Sequence, residues 1–401
     1  MSKIKINYKG QSNKGLLTQR SIDVGDTTIN TPASAMPARR VNNDDPISEE
    51  AQKICEVSRG FDLTNLAAER QHRDASLSRE LMTQANKTDK DNVVFTILRY
   101  TDTAKFSKRE TKQLIDLQTR YGDVASVPLM SEIRKEVDSD GADSARSPFT
   151  IYYQNAKRVL EVADEKDASI PILGVVPPLD QKYVLKLIEL YDKHGVDGLC
   201  INFDGGRPTA DAKIDLLKTV MEQLGQRRNY RNTFVYGINV DRRPLSDGQQ
   251  WGVADDVIGY ALGLDILGGY YVPVSAPPEV FEQEDDEKDA FEYFHRKHRS
   301  YRKCSIENLP QVFPDDSSFD PVAITEECRD DDEQRGRYER LVTNEQIALF
   351  AAELREENPE TILESFKTAP RTFTDVDQTS RRIREALEDG QSQSSLNDFS
   401  D

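Results

Sequence analysis

The sequence predicts an α/β fold, a TIM (β/α)8-like barrel followed by a helical C-terminal extension, on three observations. Short, largely apolar runs of β-prone residues alternate with amphipathic stretches over residues 26–272, the rhythm of a parallel sheet with helical crossovers. The number of these runs favours a closed barrel over a doubly wound open sheet, the second choice. Neither a GxGxxG after the first strand nor a GxxxxGK[ST] is present to support a nucleotide-binding open sheet. The length, 401 residues, suits one large barrel with appendages.

Taken in order, residues 26–36 place alternating apolar positions before Pro37, a short strand. VVFTIL, 93–98, is strongly β-prone and is followed by Arg99, Tyr100, Thr101 and Asp102. Residues 108–123 carry Leu114, Ile115, Leu117 and Tyr121 at helical spacing, with Gly122 where a C-cap glycine belongs, and a strand, VASVPLM, follows. Helices over 152–164, 181–194, 210–224 and 255–262 lead into strands over 170–176, 198–203, 233–240 and 265–272. Beyond residue 280 the pattern predicts an acidic, aromatic helix (285–302), a Pro/Asp-rich loop (310–322) and an amphipathic helix (334–357) carrying Leu341, Ile347, Phe350, Ala351 and Leu354. The tail from Gly390 reads as disordered. The expected organisation is a barrel domain over 1–280, a helical extension over 281–375 and a flexible tail over 376–401.

The chain has 71 Asp and Glu against 53 Lys and Arg, a net charge of −18, which excludes a simple basic nucleic-acid binder. Hydrophobic residues, 37% of the chain, are enough to fill a core. Acid clusters such as Asp285, Asp286 and Glu287, and Asp330, Asp331, Asp332 and Glu333, recur along the chain rather than forming one tail, and favour a halophilic surface. No apolar run approaches the ~20 residues of a membrane span, and MSKIKINYKG has no apolar leader, so the expectation is a cytoplasmic protein with no membrane partner. Cys55, Cys200, Cys304 and Cys328 lack CxxC spacing, which fits a reducing compartment.

In parallel barrels the active site lies at the C-terminal ends of the strands. Residues there become candidates by position: Asp102, Ser131, Glu132, Asn202, Asp204, Asp241, Asp265, Gly268 and Gly269. Two aspartates on one pocket would divide nucleophile and proton-transfer roles, as in glycosyl transfer. The structural alternative is that such residues cap helices or, as with Asp204 before Gly205 and Gly206, shape a turn. His295, His298 and Cys304 lack zinc-ligand spacing, so a metal is not expected. The basic segment 295–303, with Tyr301 within it, is read either as a phosphate and base contact or as a helix face paired with the acids before it.

The order of these pieces resembles the tRNA-guanine transglycosylase superfamily, in particular its archaeal branch and the related DNA-modifying enzymes that install 7-deazaguanines. INTPASAMPAR (29–39) is similar to the family's opening strand, and YTDTAKFS (100–107) to its TDSGGFQ. KRETKQLIDLQTRYGDVASVPL is similar to a helix leading into a strand that ends P-L-D. PILGVVPPLDQKYVLKLIELYDKHGVDGLCINFDGG resembles the strands that cradle the base, DDVIGYALGLDILGG the segment that delivers the nucleophile, and RYERLVTNEQIALFAAELRE the long C-terminal helix. The likeness covers roughly residues 15–370 as six ordered weak motifs.

The resemblance implies a pentosyltransferase that exchanges guanine for a 7-deazaguanine through a carboxylate nucleophile. Its catalytic residues would be Asp102 and Asp265, and Phe106, Ser131, Glu132, Asn202, Asp204, Gly205 and Gly206 would bind the substrate. Its partners would be nucleic acid (DNA or tRNA), a 7-deazaguanine base, and a second copy or partner subunit. DNA is favoured because the chain ends soon after the C-terminal helix. The departures are specific: Ala104 and Lys105 replace two glycines, Met130 and Pro177 replace an Asp and a Gln, and Gly268 stands at the nucleophile position. Only Cys304 remains of the zinc site, with Thr343 at the His position, so no cofactor is expected. The alternative is a catalytically inactive transglycosylase-like partner or nucleic-acid-binding subunit.

Overall fold

The structure, a computed structural model, describes residues 4–11, 16–71, 76–139, 146–166, 168–227, 229–246, 248–271, 289–329, 331–357, 366–371 and 376–397. Three antiparallel strands open the chain: β1 (Lys5–Gln11), β2 (Thr18–Val24) and β3 (Thr27–Thr31). The apolar runs that follow become parallel strands: β4 (Ala33–Ser34), β5 (Met36–Pro37), β6 (Ile54–Phe61), β7 (Val93–Tyr100), β8 (Ala125–Ser126), β9 (Ile172–Val176), β10 (Gly198–Asn202) and β11 (Phe234–Ile238). After β12 (Trp251–Val253), which belongs to another sheet, comes β13 (Ile266–Leu267). The strands β9, β10 and β11 are buried at every position, the mark of a sheet covered on both faces.

The fold is mixed α/β. Six parallel strands pair in the order β4-β13-β11-β10-β9-β8, and three more in the order β5-β6-β7. Ala35 alone separates β4 from β5, and parallel bridges Phe95–Val124 and Arg99–Leu129 join β7 to the chain on either side of β8. The intervening helices turn apolar stripes inward. Lys108–Tyr121 starts with a capping box, in which Ser107 and Glu110 satisfy each other's backbone N–H groups, and buries Leu114, Ile115 and Leu117. Arg146–Glu165, Gln181–Lys193 and Asp211–Gln226 occupy the other expected positions.

Four expectations need correction. Gly122 is extended, with φ −155°, rather than a left-handed cap; a Cβ there would collide with Thr96 Oγ1, so close helix–strand approach explains the glycine. Val257–Leu262 is a 3-10 helix. The helix expected over 285–302 is instead, in its described part, a hairpin of β14 (Ala290–His295) and β15 (Ser300–Ser305). Phe291, Tyr293 and Phe294 are buried there, and Arg299 turns the chain at φ 51°; aromatic β-propensity outweighs the acidic flank, whose residues 285–288 lie outside the described part.

Finally, Val376–Asn397 is a helix where a flexible tail over 376–401, disordered from Gly390, was expected. It buries Ile383 and Leu387, and its Gly390 lies against Glu222 O while Gly225 of the facing helix lies against Leu387 O. A Cβ at either glycine would strike backbone, so the crossing depends on both. Asp332–Glu356 is the long amphipathic helix expected, and it joins Met36, Val41, Phe291 and Tyr293 in a second apolar cluster through Leu341, Val342 and Ala348. Among the described residues, no helix is long and apolar enough to cross a membrane.

Candidate functional site

The C-terminal ends of the parallel strands open into a cavity of about 650 Å³. Ser34 at the end of β4, Pro37 at the end of β5, Ser58 to Gly60 on β6, Arg99 on β7, Leu129 after β8, Asp241 and Arg242 after β11, and Gly268 to Tyr271 after β13 all border it. Glu292 from β14, Tyr301 from β15 and Glu339, Arg340 and Thr343 from the helix Asp332–Glu356 close its far side. The helical extension therefore contributes to the site.

Six arginines line this cavity: Arg39, Arg40, Arg59, Arg99, Arg242 and Arg340. Arg59 pairs with Glu80, and Arg242 with Glu292 while lying 3.8 Å over the Tyr301 ring. Arg39, Arg40, Arg99 and Arg340 form no ion pair among the described residues. Partial burial holds the Arg40 guanidinium below its usual range, with Arg340 and Arg39 adding like charge. Burial does the same to Arg99, reinforced by Arg39 and Arg59 and opposed by Glu132. Arginine stays charged at such shifts, so the site concentrates positive charge that the protein leaves uncompensated.

A carboxylate group faces this cluster. Asp256 accepts from Tyr301 Oη at 2.5 Å, and Glu339 accepts from the Glu292 backbone N–H at 2.8 Å. Burial raises Asp256 against the pull of Tyr301 and Arg242. Burial, with the Glu292 carboxylate nearby, pushes Glu339 up to about 7 against the amide bond and Arg242.

Beneath the cavity floor lies Glu56 of β6, fully buried. It accepts from Tyr236 Oη, from Tyr271 Oη and, at 2.7 Å, from Gly269 N–H. Burial raises its carboxyl against these three donors. A Cβ at Gly268 would lie 2.5 Å from Glu56 Oε1, and one at Gly269 2.5 Å from Glu56 Oε2, so only glycine fits this floor.

The substrate-side residues expected from the sequence fall elsewhere. None of Asp102, Asp265, Phe106, Ser131, Glu132, Asn202, Asp204, Gly205 and Gly206 borders the cavity. Asp265 precedes β13 and so sits at the opposite, N-terminal end of the strands. It is fully buried, pairs with Arg20 at 2.7 Å and accepts from Thr18 Oγ1 at 2.5 Å and Val235 N–H at 2.7 Å. Those contacts account for it as a structural group. Asp102 accepts from the Thr103 N–H, and Phe106 is buried against the rings of Tyr100 and Phe61. Glu132, next to Ser131 in the first turn of its helix, pairs with Lys135.

Asp204 pairs with Arg134 at 2.6 Å in a left-handed turn that continues through Gly205. Asn202 accepts from Asp204 N–H and Asn239 Nδ2, and Asn239 in turn holds the Tyr271 N–H, so this cluster supports the cavity loop from outside. Three of the strand-end positions do reach the cavity: Asp241, Gly268 and Gly269. The arginines escaped notice because they are scattered in sequence; the available signal was Arg39 and Arg40 closing AMPARR and Arg99 closing VVFTILR.

The basic segment 295–303 is consumed within the fold. Arg296 pairs with Asp316 and Glu353, Lys297 with Asp315, and Arg302 lies 4.9 Å over the Trp251 ring. His295 and His298 have ring centroids 4.6 Å apart, and burial, then His298, brings His295 down to about 4. Among the described residues, no group of three or more His, Cys, Asp or Glu is placed to hold a metal ion. No protein-family model matches the chain, and no curated protein matches it in sequence.

Proposed function

We propose that this chain is a cytoplasmic, transglycosylase-like protein that holds nucleic acid at the arginine-lined mouth of a (β/α)8-like barrel, without carrying out base exchange through Asp265. The observation that carries the reading is the cavity itself: four arginines with no ion-pair partner among the described residues, gathered around the strand ends of a chain whose net charge is −18. Phosphate oxygens are the complementary ligand for such a set. Tyr270, 43% exposed on the cavity rim, offers a face on which an unpaired base would stack, which favours a polymer over a small anion. Barrel closure is supported by the two parallel sheets, contiguous at Ala35 and bridged at Val124 and Leu129. The chain would need neither zinc nor another cofactor, and the helix Asp332–Glu356 would be part of its binding site rather than a separate module.

The silent reading is favoured because Gly268 occupies the nucleophile position and Asp265 is sealed at the other end of the strands. A second reading has one observation behind it. Asp241 is a strand-end carboxylate that does border the cavity, and in an active enzyme exchanging guanine for a 7-deazaguanine in DNA or tRNA it would be the nucleophile. Incubation of folded protein with labelled guanine or 7-deazaguanine and each polymer, at low and high salt, separates the two. Binding without label incorporation supports the silent reading; incorporation abolished by Asp241→Asn supports the active one.

A further inference from the structure

Glu339 lines the same cavity as Arg39, Arg40, Arg99 and Arg340, so an anion held there by the arginines shares that cavity with the Glu339 carboxyl. No cation pairs with Glu339 among the described residues. Arg242, which acts on it through space, is taken by Glu292 and lies against Tyr301. One Glu339 oxygen accepts from the Glu292 N–H, and the other has no hydrogen-bond partner among the described residues. An ionised Glu339 would repel a phosphate in this position; a protonated one would donate an O–H to it.

We propose that Glu339 binds the anionic ligand in its protonated form, as an O–H donor completing the arginine set, so that ligand binding takes up a proton. This rests on the reading of the cavity as a phosphate site. The groups acting on Glu339 from neighbouring elements are Glu292 on β14, Arg242 after β11, Arg335 on its own helix, and the thiols of Cys304 on β15 and Cys328 on Pro321–Cys328. Burial pushes both thiols up, to about 11 and about 12, and His295 is brought down to about 4. The two thiols and His295 are thus moved away from neutrality, whereas burial brings Glu339 up to about 7.

The protonated form binds, so affinity is full below about 7 and falls as pH rises through it; between pH 6 and pH 8 a group titrating there loses about tenfold of its protonated fraction. The probe is a fluorescent oligothymidylate without terminal phosphates, whose phosphodiesters do not titrate in this range, bound to the full chain at constant salt and followed by anisotropy. Wild-type affinity should weaken about tenfold from pH 6 to pH 8. Glu339→Gln, which keeps a donor, should bind at pH 6 within about threefold of wild type and show a flat profile. Glu292→Gln, which removes the negative neighbour, should move the wild-type midpoint to lower pH.

A flat wild-type profile, or an unchanged slope in Glu339→Gln, overturns the proposal. If binding is nonetheless weakened by Arg99→Ala, the phosphate reading stands without it. An oligonucleotide that fails to bind, or that binds equally to wild type and Arg99→Ala, overturns the phosphate reading and this inference with it.

Discussion

The two ends of the parallel strands treat charge in opposite ways. At the N-terminal end, Arg20 and Asp265 are fully buried and paired, with Thr18, the Val235 amide and the Thr233 carbonyl around them and the Tyr230 ring 4.8 Å from the guanidinium. At the C-terminal end, Arg39, Arg40, Arg99 and Arg340 gather around a cavity with no ion-pair partner among the described residues. Both ends contain arginine and carboxylate. What separates them is whether each charge already has its counter-charge, since a compensated charge has no need of a ligand and an uncompensated one is completed by it.

Two substitutions test that contrast most strongly. Asp265→Ala leaves Arg20 buried and unpaired, and should cost about 3–5 kcal/mol in urea unfolding, while oligonucleotide affinity per folded molecule stays unchanged. Loss of binding with stability retained would place function at the closed end and reverse the comparison. Gly268→Asp would add a carboxylate to the cavity floor, but its Cβ would lie 2.5 Å from Glu56 Oε1 and 2.6 Å from the Tyr236 ring. Overpacking of this kind costs about 1–3 kcal/mol, so the expected outcome is a lower unfolding midpoint and no base exchange. Exchange activity in this variant would show that the floor can open to admit an acid.

The strand–helix rhythm was readable because the strands are buried on both faces and the helices carry single apolar stripes, two patterns that local sequence encodes. The hairpin Ala290–Ser305 was misread because its acidic leader masks an alternation of buried aromatics. The helix Val376–Asn397 was missed because its stability comes from a partner: the close crossing at Gly225 and Gly390 has no local signature.

For the site, position at a strand end picked out three residues that border the cavity, Asp241, Gly268 and Gly269. It failed for Asp265 because that residue opens its strand rather than closing it: β13 runs Ile266–Leu267, so the aspartate lies at the N-terminal end, and the strand-end positions here are Gly268 and Gly269. The arginine cluster was invisible for a different reason: its members come from five separate stretches of chain, and only the fold brings them together.

Within the cavity, removing Arg40 and Arg99 should weaken oligonucleotide binding by about tenfold each at low salt, as for a charge-assisted hydrogen bond. Each should also reduce the slope of log affinity against log salt by about one. Stability should hold or rise slightly on removal of Arg40, whose guanidinium lies among like charges, whereas removal of Arg99 also gives up its hydrogen bond to the Tyr271 carbonyl and should leave stability about level. A variant that lost stability but kept the salt slope would move these arginines to the structural side of the comparison.

The smallest expected effect is the most discriminating, because it concerns the one stretch whose sequence advertises cation. Residues 295–303 look like a phosphate contact, yet Arg296 holds Asp316 below the usual carboxylate range even though partial burial pushes the other way, and Lys297 lies 3.6 Å from Asp315. Lys297 is the exposed member, and a surface pair of this kind contributes about 0–1 kcal/mol. Lys297→Ala should therefore change both stability and oligonucleotide affinity little, with the salt slope unaltered. A slope reduced by about one would show that the hairpin meets phosphate despite its internal partners. Compensation by a neighbouring carboxylate would then fail as the criterion that separates the two kinds of charge in this protein, and the cavity arginines would have to be distinguished by their burial instead.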